Sequence, residues 1–485
     1  MAQSILLRGG TALIHQDNEA VVAAKRDILV VGNRIARIGE SLDVEDAEVI
    51  DCTGKLISPG FVNTHHHGWQ TQLKGRHANH MLLEYVPTGN MVACAYEPED
   101  VQIGQLAGFL ELIDSGVTTV VDHSHIISTP QHADAALKGT IESGIRAIFC
   151  YSTTLRVKEW TQEKMEVAND LVAPWFLEHF QKIAAAAPYA DGRVHIGFGY
   201  DGLFMPASVN QMVFKLARDA GSKLITLHSM RGPLMGTHSA IQLMESQGLN
   251  GPDVLVSHAN QMDDADAELF KKHGMSLSST PMTELQMGHG LPMCYDPRFA
   301  ECASLGVDCN SIGAGCIVTQ MRVGLQAERG VFNQKYVVEN KNPWTCKQTV
   351  EEAFNLATIR GAKACKMEDQ IGSIAVGKLA DLVIFDTESP AMVCVGEKNP
   401  IAAIVLHSSV RDIDTVIVDG VVKKKGGKLL PVGVEGASLG WRDVVAQLSK
   451  SAEAVEERAS KLNYDLGLQA VGAMFQLDWN NFPKL

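Results

Sequence analysis

The sequence predicts an α/β protein built on a closed (β/α)8 TIM barrel, with a small β-sandwich domain assembled from both termini. Three observations predict it. Eight compact apolar runs recur through the middle of the chain, most followed by a helix-compatible stretch. Parallel strands covered by helices produce that alternation, and eight units within about 250 residues match a closed barrel. Both ends of the chain are β-rich. No GxGxxG stands at a first strand–helix turn, which disfavours an open doubly wound sheet.

The elements follow in order. Ser4–Leu13, Asp27–Val31 and Arg34–Ile38 are short apolar or alternating runs, broken by Gly9-Gly10 and Gly32-Asn33. The eight central runs are Leu56–Val62, Val117–Val121, Ile145–Cys150, Val194–Phe198, Leu224–Leu227, Val254–Val256, Met275–Leu277 and Gly306–Asp308. Between them, segments such as Pro98–Ser115, Ser208–Ala220 and Asp263–His273 are long enough for crossover helices. Strand texture returns at Ala380–Phe385 and Thr415–Val418, with Asp419-Gly420 as a hairpin turn before Val421-Val422. At 485 residues, one large and one small domain are expected. The boundaries read as 1–58 and 371–430 for the two parts of the sandwich, 59–370 for the barrel and 431–485 for a helical tail. The tail carries a charged helix-like stretch at Ser449–Leu462, which packs either on the barrel or on another subunit.

Apolar content of 46% with 20% charged residues is that of an ordinary globular protein. A net charge of −14 argues against a nucleic-acid-binding surface. The N-terminus has no basic stretch followed by a long apolar core, so no secretory signal is expected. No run of about 18 apolar residues appears, so no membrane span is expected either. The ten cysteines are scattered and none forms a CxxC pair. They read as reduced thiols of a cytoplasmic protein, each a small buried hydrophobe.

The strongest local signal is Ser58-Pro-Gly-Phe-Val-Asn-Thr-His-His-His67. Side chains alternate along a strand, so His65 and His67 point one way and His66 the other. Leu224–His228 and Val254–His258 each end an apolar run in histidine, and Gly306–Asp308 ends one in a carboxylate. Singly, each could be a satisfied core residue. Together they stand at the C-terminal ends of strands one, five, six and eight, the barrel face where active sites sit. Imidazole plus carboxylate suits one divalent ion, Zn2+ or Fe2+, with positions left for water.

At these residues the chain resembles the amidohydrolase superfamily, in its branch of cytosine deaminases, guanine deaminases and triazine chlorohydrolases. Pro59–His67 with Gln70-Thr-Gln-Leu is similar to that branch's first strand, and Leu112–His123 to its second. Ile371–Asp386 resembles the segment that re-enters the small domain. The resemblance implies that His65, His67, His228 and Asp308 are metal ligands. It implies that His258 acts as acid/base or polarises the substrate. Relatives with two metals place a bridging lysine at the fourth strand. Val194–Asp201 has none, so one ion is expected, Zn2+ ahead of Fe2+.

One departure stands out. Deaminases of this branch carry a proton-shuttling Glu three residues after the fifth-strand histidine, where this chain has Arg231. Arginine stays protonated and cannot shuttle. Glu284, Lys74 and His289 are the candidates to replace it; Glu284 could equally be a solvated loop residue. Arg231 could hold a substrate carboxylate or phenolate through a forked pair of hydrogen bonds, or form a rim salt bridge. Gln70 and His289 are further candidates for substrate contact. Trp69, Tyr85, Met91, Met287 and Met293 either line an apolar pocket or are plain core.

The expected activity is hydrolysis of a non-peptide C–N bond in a small cyclic or heteroaromatic substrate, by deamination, amide cleavage or ring opening. A water activated by the ion attacks, Asp308 takes its proton, and His258 steadies the developing charge. Two other classes remain open: a metal-dependent lyase that decarboxylates an aromatic acid, and a binding relative without catalysis. Expected partners are a small-molecule substrate and, by analogy alone, further copies of the chain.

Overall fold

The computed structural model describes residues 4–483. Its centre is a parallel sheet whose strands are Phe61–His67, Val117–Ser124, Arg146–Ser152, Val194–Gly199, Ile225–Met230, Val254–Asn260, Ser276–Ser279 and a split eighth strand. These are numbered one to eight below. All are nearly or wholly buried, as a sheet covered by helices requires.

The eighth strand closes the barrel in two pieces. Ala303–Leu305 pairs with strand seven, and Asp308–Cys309 pairs with strand one. The break falls at Gly306-Val307. A Cβ at Gly306 would lie 2.8 Å from the Cβ of His65, so only glycine lets the chain cross that close. Val307 then donates its N–H to the His65 carbonyl and to Asn63 Oδ1. This crossing brings Asp308 beside the two histidines of strand one.

The expected first strand is divided between two sheets. Lys55–Pro59 pairs with Leu382–Asp386 in the terminal sheet, whereas Phe61–His67 opens the barrel. Gly60 is the junction, where a Cβ would lie 2.1 Å from Thr118 Oγ1. An unbroken apolar run does not report that its two halves serve different layers.

The terminal domain is one mixed sheet of nine strands drawn from both ends of the chain. Alternation gives its strands two apolar faces. Leu382, Ile384 and Ile417 pack with Ile5, Leu7, Ile28 and Val30 in a small core of its own. Val383, Phe385, Val416 and Val418 join the main core with the barrel. Asp419-Gly420 makes the hairpin turn with φ of 52° and 75°, as such a two-residue turn demands. Buried Arg146 on strand three bridges Asp381 at 2.7 Å and Asp419 at 2.7 Å, tying barrel to sheet. With its partners present the guanidinium is satisfied; an unpaired one could not stay buried there.

The tail forms two helices, Trp441–Ala459 and Tyr464–Met474. The first packs on Pro98–Asp114 of its own barrel, where Ser451 and Arg458 both bind Asp100. The second reaches over the mouth. There Val471 meets Val86 and Met91 from the segment after strand one, Trp160 from the hairpin after strand three, and Leu234 from the loop after strand five. These loops start from separate points around the rim, so their shared apolar cluster roofs the opening. Trp160 Nε1 donates to the Asn463 carbonyl at 2.9 Å, and Gly467 lets the helix close on it. Among the described residues, no helix is long and apolar enough to cross a membrane.

Candidate metal centre and active site

Beneath that roof, strands one, five, six and eight bring His65, His67, His228, His258 and Asp308 together. Asp308 Oδ1 lies 3.3 Å from His65 Nε2 and 3.2 Å from His67 Nε2. His228 Nε2 lies 3.3 Å from His67 Nε2. The nitrogens of His65, His228 and His258 also lie within 4.8 Å of one another. His258 and Asp308 both have left-handed backbones, with φ of 68° and 73°. Such strain in residues with a Cβ collects at functional sites.

The other ring nitrogens fix what this cluster can hold. His67 Nδ1 lies 2.7 Å from the His123 carbonyl, an acceptor only, so Nδ1 carries the proton. His228 Nδ1 lies 2.9 Å from Asp201 Oδ2 and is protonated for the same reason. His65 Nδ1 is engaged by Ser257 Oγ at 2.8 Å. In the neutral rings the Nε2 atoms of His67 and His228 therefore present lone pairs to each other, and that of His67 also faces the Asp308 carboxylate. Lone pairs at these distances repel unless a cation stands between them. Imidazole and carboxylate are donors that zinc accepts, and each histidine is oriented by a second partner.

Protonation agrees with this. Burial holds His65 well below its ordinary value and brings His258 down to about 3. Burial would raise Asp308, but the adjacent His65 and His67 rings outweigh it and hold the carboxyl well below the usual range. Burial would lower His228, but Asp201 outweighs it and raises the ring. A bound cation competes with that last proton.

Asp201, His123 and His125 complete the surroundings and were not singled out from the sequence. Asp201 ends strand four and accepts from the His228 backbone, His228 Nδ1 and His123 Nε2. His123 and His125 repeat the alternating-histidine pattern on strand two, and His125 stacks beside His67 with centroids 4.0 Å apart. Applying the strand-end rule to strands two and four would have found all three.

The remaining expectations divide. Gln70 is buried beside the site and shares hydrogen bonds with the Tyr85 hydroxyl. Tyr85 and Met287 pack on Cys309, next to Asp308. His289 packs edge-on against His258, with centroids 4.8 Å apart. Trp69 donates to His125 Nδ1, Met91 belongs to the roof and Met293 to the main core.

Three placements differ from the sequence reading. Lys74 is half exposed and paired with Glu111 at 2.6 Å, away from the cluster. Arg231 gives its forked nitrogens to Asp263 and to fully buried Asp266, so the fork is closed by the chain's own carboxylates. That is the rim salt bridge, not an open carboxylate receptor. Glu284 is not a solvated loop residue. It is fully buried behind His258, with Oε1 3.7 Å from His258 Nδ1. It reaches the reacting space only through that ring.

A parallel barrel with a histidine–aspartate cluster that could hold a cation at its C-terminal mouth is the architecture of metal-dependent barrel hydrolases. The chain belongs to the amidohydrolase family, whose profile matches residues 56–423. It is 26% identical over 429 residues to the 5-methylthioadenosine/S-adenosylhomocysteine deaminase of Thermococcus onnurineus, covering 86% of this chain and 93% of that one. It is 26% identical over 442 residues to the 5'-deoxyadenosine deaminase of Methanobrevibacter smithii, covering 88% and 95%. In three dimensions it resembles an adenosine deaminase from Xanthomonas campestris with bound zinc (TM-score 0.77, 18% identity, covering 94% and 99%). It also resembles the atrazine chlorohydrolase of Arthrobacter aurescens complexed with zinc (TM-score 0.76, 20% identity, covering 92% and 100%).

Proposed function

We propose that the protein is a zinc-dependent hydrolase that cleaves a non-peptide C–N bond of a small, uncharged heteroaromatic substrate, deamination of an aminated ring being the leading case. The observation that carries this is that His67 Nε2 meets both His228 Nε2 and the Asp308 carboxylate while each Nδ1 is committed elsewhere. His65, His67, His228 and Asp308 would hold one ion. The fourth-strand run Val194–Asp201, where two-metal relatives have a bridging lysine, has none, and its Asp201 is consumed by His123 and His228, which supports a single-ion reading. When bound, the ion supplies the positive charge that acidifies a water and polarises the bond under attack.

The chain's own groups do the rest. Asp308 Oδ1 faces the histidines, whereas Oδ2 has only the Cys309 thiol at 3.8 Å, which leaves it able to take the water's proton. His258 stands opposite and donates to the charge that develops on the attacked ring. Gln70 and His289, buried beside the cluster, would orient the ring, and the apolar roof would limit access of bulk water. Among the described residues, Arg231 and Lys74 are both neutralised by carboxylates of the chain, which disfavours an aromatic acid as substrate and with it decarboxylation. The deaminase relatives support loss of ammonia from an aminated ring. The unpaired cysteines support a reducing compartment such as the cytoplasm.

The test is to strip metal, reload with zinc, and follow ammonia release from a panel of aminopurine nucleosides and aminotriazines. Activity restored by zinc and lost in Asp308→Asn supports the proposal. Turnover that survives complete stripping sinks it.

A further inference from the structure

Glu284 has two oxygens with different surroundings, and these determine its state. Oε1 accepts the Thr280 N–H at 2.7 Å. Oε2 is buried and, among the described residues, has no partner. Beside it lies Asn260, whose Nδ2 is committed to the Leu291 carbonyl at 2.9 Å. That bond fixes the amide so that Oδ1, also buried and unpartnered, is the atom left over. A buried carboxylate oxygen without a donor is costly in a dry interior. A proton on Glu284 removes the buried charge.

The consequence falls on His258, whose Nδ1 lies 2.9 Å from Thr280 Oγ1. A threonine hydroxyl can donate or accept there. With Glu284 neutral, Thr280 is at liberty to donate to Nδ1, and the ring proton sits on Nε2, the nitrogen on the metal side. With Glu284 ionised, a negative charge 3.7 Å from Nδ1 draws the ring proton onto Nδ1 and leaves Nε2 a bare lone pair.

We propose that Glu284 is a positioning residue that, acting through Thr280, selects the His258 tautomer that donates from Nε2 into the reacting space. This rests on the hydrolase reading above and deepens it. It also accounts for the departure at position 231: the acidic side chain near the centre has moved from the loop after strand five to the helix after strand seven, and now works from behind a histidine. Burial supports the neutral form, pushing the Glu284 carboxyl up to about 8. The titratable groups facing it are His258 from strand six, Asp308 from strand eight, His289 from the same loop and the buried Cys294 thiol.

The experiment uses zinc-loaded protein labelled with 15N-histidine, with the His258 signals assigned by their loss in His258→Asn. At pH 6.5 the ring shows protonated Nε2 and unprotonated Nδ1. At alkaline pH, above the Glu284 midpoint, the pattern reverses. In Glu284→Gln, whose amide reproduces the neutral acid's donor and acceptor, the Nε2-protonated pattern persists at both pH values. The same variant keeps near-wild-type turnover at neutral pH and loses the alkaline fall in kcat. A wild-type His258 that keeps one tautomer across the range overturns the proposal. So does a Glu284→Gln enzyme slowed about 100-fold at every pH, since Glu284 would then be giving up its own proton. The nuclear resonance readout needs no substrate. A correct tautomer switch in a protein that hydrolyses nothing removes the functional reading and leaves this one.

Discussion

His67 and His228 face each other Nε2 to Nε2 at 3.3 Å, each with its Nδ1 held by an oxygen that can only accept. Neither ring can rotate its proton inward without breaking a buried hydrogen bond. The pair therefore suits a cation, and the proposed metal binding is expected to couple to stability. Zinc at a thousandfold excess over its Kd is expected to stabilise the fold by about 4 kcal/mol. A melting curve that does not move between chelated and zinc-loaded protein contradicts this.

Asp201 is the partner on which that geometry depends most. It accepts three hydrogen bonds, two of them from His228. Asp201→Asn replaces a charged acceptor with an amide that cannot serve all three. Metal affinity or activity should fall about 10- to 100-fold, as for other residues that orient a ligand histidine. Competition with a zinc chelator measures it, and an unchanged affinity would show that His228 is held by its strand alone.

How much of this was legible depended on whether the signal was local. The barrel was legible because each strand announces itself in a few residues, and the cluster because four strands end in a histidine or aspartate. The split at Gly60 was not, because Leu56–Val62 is apolar throughout while its halves bond to different sheets. The fate of Arg231 was not, because Asp263 and Asp266 belong to another βα unit and only packing brings them near. Glu284 read as a loop residue because the helix Pro281–Gln286 that buries it is too short to show periodicity.

Arg231 is predicted to matter for the fold and not for substrate charge. Asp266 has no exposure and depends on that guanidinium, with help from Ser239. Arg231→Ala strands a buried carboxylate and should cost about 3 kcal/mol. Asp266→Asn in the same chain should recover part of the loss. Denaturant unfolding of the single and double variants decides it. A large rise in KM confined to acidic substrates would instead return Arg231 to a binding role.

Gly467 is where the tail meets the roof. A Cβ there would lie 2.6 Å from the Trp160 ring and 3.1 Å from Pro87. Gly467→Val should lift the tail helix from the hairpin Val157–Trp160 and Met165–Val167 without touching a ligand. Hydrogen exchange in that hairpin should rise and chelators should strip zinc faster, while the zinc-loaded stoichiometry stays the same. Equal stripping rates would mean that the mouth opens elsewhere.

The raised Glu284 gives a pH dependence whose sign is set by where the protons go. The carboxyl titrates near 4.5 when unfolded and near 8 in the fold. Between those values the native state holds a proton that the unfolded chain has released, so stability falls as pH rises through the interval. Glu284→Gln carries no such proton. Its melting temperature relative to wild type should therefore climb steadily from pH 5 to pH 8 and level off above. Zinc at the neighbouring centre lowers the carboxyl's midpoint by its charge and narrows the window without reversing the trend. The paired melting series, with and without metal, checks both statements; a difference that is flat across pH would mean that the native carboxyl is already ionised.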